Sequence, residues 1–586
     1  SIIIIVFLPL FTLQGVEGIT FRPLAYAVAL AMLGSLIFAL FAGPVLADLF
    51  MRAPKKTSKE IKEHIVVRLL LIPYRPVIRF FVHFRSAAVA IAISLLVMGA
   101  FIFPKLGSEF VPRLNEGDLL IRATMAPSIS LEMARDSMLV FERKLLREFP
   151  EVTEVVTRVG RGEIGAHADP VNNAEVFVSL KPKSDWTSAH SLDELYEKMG
   201  ETFEDFPGAQ FNFTQPIAAA IDELLTGTKA ELAAKLFGDD LEILEAKAAE
   251  IEQILRSIEG ATDVQKDQSS GTPQLLISIN RDAIARYGIN VADVQEIIST
   301  AVGGSQAGQI FEGVRRFDIF LRFAEEDRNS ADAIRHILVE APSGAKIPLD
   351  ELVTIEEIVG ARQITRELNQ RFITIQCNVR GRDIGSFVAE AEERIAEQID
   401  LPPGYLVRWG GQFELQQAAN KRLAVIIPIT LALVFLLLYS SFNSLRNALL
   451  IILNIPLALV GGVVALYLAG ENLSVPASVG FIALFGIALG NGLVLVTYLN
   501  QLVQKGMKID EASIHAACLR LKPVLMTAIT TALGLLPLLL SSGTGSEVQR
   551  PLALVVTGGL ISSTLLTLLV LPAIYKWFVS NPQKEP

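Results

Sequence analysis

Seven apolar runs of about 20 residues, near 24–47, 86–104, 422–441, 447–469, 475–499, 523–541 and 551–575, constrain this chain more than any other feature. That is the length of helix needed to cross the hydrocarbon core of a bilayer. Only helices and closed barrels satisfy their backbone polar groups there, so each run predicts a membrane helix. An eighth run, Ile2–Leu13, is too short to span alone. It begins at Ser1 without an initiator Met or a signal-peptide n-region, and reads as a membrane helix cut at its start, which makes the chain a fragment. A mean hydropathy of +0.44 is too high for a soluble protein, yet 19% charged residues is too many for a chain that is membrane throughout. Two materials are being averaged. The 51% hydrophobic content excludes a disordered chain, and two cysteines in 586 residues exclude a disulfide scaffold. A net charge of −10 leaves no basic footprint for nucleic acid.

Lys/Arg bias in short loops orients membrane helices. The loop 48–85 carries Arg52, Lys55, Lys56, Lys59, Lys62, Arg68, Arg75, Arg79 and Arg85 and reads as cytoplasmic. Alternating from there, 505–522 and the C-terminal tail fall inside, and the loops at Glu17, Glu471 and Glu547 fall outside. Within 48–85, the stretch Ile65–Leu71 mixes apolar and basic residues; it suits an interfacial helix in contact with lipid, or a connector lying against the bundle.

Residues 105–420 hold most of the charge and form one extracytoplasmic block. Strand-like Asp118–Ala126 precedes helical Ser130–Glu148, strand-like Thr153–Val159 and Ala174–Leu180, helical His190–Glu204 and a short strand Gln210–Phe213. A second round follows: Leu232–Phe237, helix Leu241–Ile258, strands Ala261–Lys266 and Gln274–Ile279, helical Val291–Ala301, helix Phe387–Gln398 and strand Tyr405–Trp409. The expected fold is therefore an α-helical multi-pass membrane protein with a large α+β extracytoplasmic domain made of two ferredoxin-like βαβ subdomains plus a docking lobe. The boundaries are 1–47 for two membrane helices, 48–85 for the cytoplasmic loop, 86–104 for a third helix and 105–230 for the first subdomain. The second subdomain takes 231–302 and 371–420, the lobe 303–370, and a five-helix bundle 421–586. Cys377 and Cys518 fall on opposite sides of the membrane and are expected to be packing residues.

Gly107-Ser108-Glu109-Phe110-Val111-Pro112 and Leu114-Asn115-Glu116-Gly117-Asp118 directly follow a membrane helix. Together with ARYGINVADVQEIISTAVGG (285–304), NVRGRDIGSFVA (378–389), WGGQFE (409–414), GFIALFGIA (480–488) and GSEVQRPL (545–552), the chain resembles the heavy-metal branch of the resistance–nodulation–division (RND) exporters over its whole length. The resemblance implies twelve membrane helices and two periplasmic excursions. Of these the chain is similar to helices five to twelve and the second excursion, so the N-terminal half of the pump would be a partner. It further implies a bacterial inner-membrane protein that is no enzyme but a secondary transporter exchanging a metal cation for protons. It would act as a homotrimer with a periplasmic adaptor and an outer-membrane channel. No tightly bound cofactor is expected, only a transported divalent cation.

Copper and silver exporters of the family use three cleft methionines, and the resemblance sets Arg122, Asn173 and Glu223 at those places. Thioethers select Cu(I), whereas carboxylate and imidazole suit divalent ions, so the reading favours Zn, Co, Ni or Cd. The candidate metal residues are Glu175, Asp222 and Glu223, with His167 and Asp169 on the preceding loop and Lys229 just beyond. The plainer reading of each is a solvated surface carboxylate. An exporter of amphiphilic drugs is the alternative transporter, its cleft lined by Phe177, Phe211 and Phe213. A truncated or split half that only docks partners is the alternative outside transport.

Proton coupling needs a titrating group in the membrane. The interior polar residues are Asn454, Asn491, Thr497, Thr527, Thr530 and Thr531, none of which titrates usefully. The resemblance places the coupling carboxylates on a fourth helix outside this sequence, with Asn491 (beside Gly490) and Thr527 as relay neighbours. Bonding to neighbouring helices or to their own backbone is the plainer role for both. There is no P-loop, no zinc-finger spacing and no nucleophile elbow.

Overall fold

A computed structural model describes residues 2–7, 10–11, 15–50, 65–160, 169–268, 271–361, 363–541 and 543–579. The chain enters through α1 (Ile2–Phe7) and α2 (Gly15–Ile37), which continues through a π-helical turn, Phe38–Ala42, into α3 (Gly43–Phe50). Helix α4 (Ile65–His83) runs twelve residues beyond the expected Ile65–Leu71 segment. It buries Leu71, Ile78 and Val82, so it lies against the bundle while its other side stays exposed. Helix α5 (Arg85–Ile102) then leads into the β-rich region.

The first α/β unit is β1 (Asp118–Met125), α6 (Leu131–Glu148), β2 (Val152–Val159), β3 (Asn173–Leu180), α7 (Leu192–Phe203) and β4 (Ala209–Thr214). Its antiparallel sheet has the order β2-β3-β1-β4. Alternation in β1 sends Leu119, Ile121, Ala123 and Met125 to one face, where they meet Ala134, Met138, Phe141 and Leu145 from α6. Those four α6 residues recur at helical spacing, and the Ser130 hydroxyl starts the helix by accepting from Met133 N at 3.2 Å. Phe141 stacks on Phe211 at 4.4 Å; burying one such ring contributes about 1.5–3 kcal/mol. Helix α8 (Pro216–Thr226), which the sequence patterning did not single out, follows at once.

The second unit repeats this connectivity with β5 (Leu232–Phe237), α9 (Leu241–Arg256) and β6 (Ala261–Lys266), then an insertion. Within the insertion come β7 (Thr272–Ile279), α10 (Arg281–Tyr287), α11 (Val291–Ile298), the hairpin β8 (Ser305–Glu312) and β9 (Arg315–Leu321), α12 (Ala331–Arg335), β10 (Leu338–Glu340), β11 (Lys346–Pro348) and β12 (Val353–Gly360). The unit closes with β13 (Arg366–Glu367), β14 (Gln370–Val379), α13 (Ile384–Gln398) and β15 (Leu406–Gly411). Strand β14 pairs with both β5 and β6, and β15 pairs with β5.

One expected boundary moves. β7, α10 and α11, read from the sequence as part of the second unit up to residue 302, belong with the insertion: β7 pairs with β12, from Val353↔Ile279 to Gly360↔Thr272. Ile284, Ile289 and Val294 share a core with Val339, Leu349 and Leu352. A half-buried strand looks the same in sequence whichever sheet it joins, and the partner here lies some eighty residues away.

The remaining helices are α14 (Gln412–Phe442), α15 (Leu445–Ile452), α16 (Asn454–Ala469), α17 (Val475–Gln504), α18 (Ile509–Leu540) and α19 (Ser546–Phe578). Among the described residues, seven stretches are long and apolar enough to cross a membrane: Phe21–Phe50, Arg85–Lys105, Gln412–Phe442, Leu445–Ala469, Val475–Gln504, Ile509–Leu540 and Ser546–Phe578. Each contains one of the apolar runs. Helices α16, α17 and α19 form the packed centre, held by close backbone approach as lipid-immersed helices require. A methyl group on Gly558 would stand 2.5 Å from the Gly461 carbonyl oxygen across the α16–α19 crossing. Asn454 Nδ2 donates to the Ala488 carbonyl at 3.0 Å and to Thr567 Oγ1 at 2.7 Å, spending the one amide on two neighbouring helices.

Candidate metal-binding cleft

The face of the first sheet opposite its core carries a cross-strand row. Arg158 on β2 stands opposite Glu175 on β3, Glu175 opposite Arg122 on β1, and Arg122 opposite Asn212 on β4. Strand alternation places them so: Ile121 and Ala123 point into the core, and Arg122 between them must point away. Glu175 pairs with Arg158, and its Oε1 lies 3.9 Å from Arg122 Nε. Helix α8 covers the row and brings Glu223, whose Oε2 accepts from Arg122 Nη2 at 2.7 Å. The segment after α8 adds Lys229: its carbonyl accepts from Arg122 Nη1 at 3.1 Å, and its ammonium lies 3.0 Å from Asp169 Oδ1. Arg122 is 6% exposed, and burial lowers its guanidinium below the usual value against the opposing pull of Glu223, Asp169 and Asp222. Its Nε is buried without a hydrogen-bond partner among the described residues.

Asp222, adjacent to Glu223 on α8, is turned about 100° from it around the helix. Gln412 Nε2, at the start of membrane helix α14, donates to Asp222 Oδ1 at 3.1 Å. Asp222 borders a cavity of about 430 Å³ at the foot of the α/β region, lined among others by Phe21, Phe110, Tyr196, Glu231 and Val475. Burial, with a smaller push from Glu231, raises its carboxyl to about 7 despite Gln412, Arg122 and Arg113.

The sequence motifs turn out to build this frame. In Asn115-Glu116-Gly117-Asp118, the Glu116 carboxylate accepts from Ile217 N at 2.6 Å and Ala218 N at 2.9 Å, capping the exposed amides that start α8. Gly411 of the Trp-Gly-Gly-Gln-Phe-Glu segment has φ +81°, and a Cβ there would overlap the Glu231 carbonyl; only glycine lets α14 begin so close to β5. Asn378 Nδ2 donates to Asn212 Oδ1 at 3.2 Å and Asp263 Oδ2 at 2.9 Å, bridging the two units. Leu473 N donates to the Gly107 carbonyl at 2.7 Å, tying the strand that leaves α5 to the loop before α17.

Of the predicted metal residues, the structure therefore gathers Asp169, Glu175 and Glu223 around Arg122, with Asp222 about 100° round α8 from Glu223. His167 lies outside the described residues. No three His, Cys, Asp or Glu side chains among the described residues stand close enough to hold a metal ion in this conformation. Gln412 is the residue that sequence reasoning missed as a cleft component; Arg122 was set at a cleft position by the resemblance, but its pairing with the carboxylates was not foreseen. Phe211 and Phe213, considered as cleft aromatics, sit in the sheet's core, while Phe177 stands beside Arg158 with the guanidinium 5.8 Å from the ring centre. In the bundle, Thr527 Oγ1 donates to its own helix at Val524 O, 2.9 Å away. Asn491 Nδ2 is buried and finds no partner among the described residues.

Two α/β units of one connectivity, the second interrupted by a lobe and both set on apolar helices, define an RND-type transporter fold. The chain belongs to the AcrB/AcrD/AcrF family, whose model matches residues 1–579. It is 42% identical over 588 residues to the cobalt-zinc-cadmium resistance protein CzcA of Cupriavidus metallidurans, an overlap of 98% of this chain and 54% of that protein. Protein HelA of Legionella pneumophila is 42% identical over 590 residues, covering 100% of this chain and 56% of HelA. The cation efflux system protein CusA of Escherichia coli is 35% identical over 588 residues, covering 98% and 56%. The crystal structure of a heavy metal efflux pump superimposes with a TM-score of 0.85 at 40% identity, covering 98% of this chain and 57% of that one. The chain spans about half the length of the curated relatives it matches.

Proposed function

We propose that this chain is part of an inner-membrane exporter of divalent heavy-metal cations of the Zn, Co, Cd or Ni type, driven by proton entry. In this reading the two α/β units are periplasmic porter subdomains of ferredoxin-like build, a description that their strand orders support. The inserted lobe docks partners: the other protomers of a homotrimer, a periplasmic adaptor and an outer-membrane channel. The observation that carries the reading is the cleft, where Asp169, Glu175 and Glu223 converge on Arg122 with Asp222 next to Glu223 on α8. These are oxygen ligands suited to divalent ions, and the one methionine of β1, Met125, is turned into the core. Glu175, Asp222, Glu223, Asp169 and His167 are the residues we assign to cation transit. Asn491 is the better relay neighbour, since its amide is unspent while Thr527 bonds its own helix. The drug-exporter reading loses support because Phe211 is committed to the core and, of Phe177, Phe211 and Phe213, only Phe213 borders the cavity beside Asp222.

The test is metal susceptibility of a sensitive host expressing the complete reading frame that contains this chain, across Zn, Co, Cd, Ni, Cu and Ag. Resistance to divalent ions, abolished by Glu175→Ala combined with Asp222→Ala, is expected. Unchanged resistance in the double variant would sink the assignment.

A further inference from the structure

We propose that Arg122 is a built-in competitor for the cargo: with the cleft closed it occupies the carboxylates that a divalent cation takes when the cleft opens, and its return expels the cation. The inference rests on the function just proposed and concerns how that site is regulated.

Charge and space carry it. The three cleft carboxylates Asp169, Glu175 and Glu223 are met by three cations, Lys229, Arg158 and Arg122. The remaining space among Arg122, Arg158, Asp169, Glu175 and Lys229 is about 20 Å³, room for about one water. A hydrated cation cannot enter while those pairs stand for want of volume, and a bare one would meet a guanidinium at contact distance.

The pairs divide by where their members are anchored. Arg122, Glu175 and Arg158 sit on three adjacent strands of one sheet and move together. Glu223 and Lys229 belong to α8 and to the segment entering β5 of the second unit, and they reach Arg122 and Asp169 across the gap. Separating α8 and that segment from the sheet therefore breaks Arg122–Glu223 (2.7 Å), Arg122–Lys229 O (3.1 Å) and Lys229–Asp169 (3.0 Å) together. Glu223 loses Arg122 and Asp169 loses Lys229 at the same moment that room appears. Opening costs Arg122 its Glu223 and Lys229 bonds, a loss offset as the guanidinium regains water and Glu223 takes the cation. Re-closure reverses the exchange and sets a fixed positive charge against the bound ion.

The experiment is equilibrium Zn²⁺ binding to the detergent-solubilised full-length protein by calorimetry, alongside Zn²⁺ export in proteoliposomes. Like-charge contact in a partly dry site costs several kcal/mol, so Arg122→Gln is expected to bind Zn²⁺ at least about tenfold more tightly. It should export more slowly, while Arg122→Lys stays near wild type. A merely structural arginine would give weaker binding on loss, and unchanged or weaker binding in folded Arg122→Gln overturns the proposal. Should that variant not fold, Lys229→Gln removes the cation that faces Asp169 from outside the sheet and must show the same tightening; unchanged or weaker binding there is equally fatal. If wild type itself shows no saturable Zn²⁺ binding, or binding indifferent to Glu223→Gln, the proposed function fails first.

Discussion

Asp222 offers a quantitative check on the geometry at the foot of the α/β region. It is 3% exposed, with Gln412 as its hydrogen-bond donor and Glu231 as a like-charged neighbour, and its carboxyl is raised from 3.8 to about 7, chiefly by burial. At ~1.4 kcal/mol for each tenfold change, that separation corresponds to about 4 kcal/mol. The folded state holds a proton on Asp222 that the unfolded chain has already released. The stability this provides is full below about pH 4, declines as pH rises from there, and is lost once pH passes through about 7. Asp222→Asn keeps the shape and can keep the contact with Gln412, but cannot ionise. The variant should therefore gain on wild type as pH is raised from about 5 to about 8.5, by about 3 kcal/mol, since only the part of that range below about 7 contributes. Thermal unfolding of purified protein in detergent with a chelator present, followed by the fluorescence of Trp186, Trp409 and Trp577, reads the difference. Parallel melting profiles across that range would refute the argument and mean that water reaches Asp222.

Two further outcomes follow from packing. Gly558→Ala, whose methyl would stand 2.5 Å from both the Gly461 carbonyl oxygen and Ala465 Cβ, forces α16 and α19 apart and should cost about 1–3 kcal/mol or more; melting equal to wild type would refute so close a crossing. Cys377 is fully buried in β14, and burial raises its thiol far above the usual range, so a maleimide should label it only after denaturation. Rapid labelling of Cys377 in the folded protein would show that the second sheet opens readily.

Much of the architecture was legible in the sequence because its causes are local. A membrane helix is set by the length of one apolar run, and all seven stretches reappear in the structure with longer ends carrying residues such as Glu414, Asp510 and Arg550. Alternation in Asp118–Met125 and the helical spacing of Ala134, Met138, Phe141 and Leu145 likewise act within a few residues. Helix α8 escaped notice because Pro216–Thr226 is short, and its start is held by Glu116 about a hundred residues earlier.

The candidate site divides in the same way. Sequence by itself determined that the cleft region would hold carboxylates and lack thioethers, since residue type is all that requires. Only the tertiary structure decided which groups those carboxylates meet. Arg122 meets Glu223 across 101 positions, Lys229 meets Asp169 across 60, and Gln412 reaches Asp222 across 190. It also decided that β7 leaves the second sheet for β12. The physical reason is common to both. A charge or a strand edge is satisfied by whatever partner folding brings within about 3 Å, and the chain records the need for a partner locally without recording which one it will be.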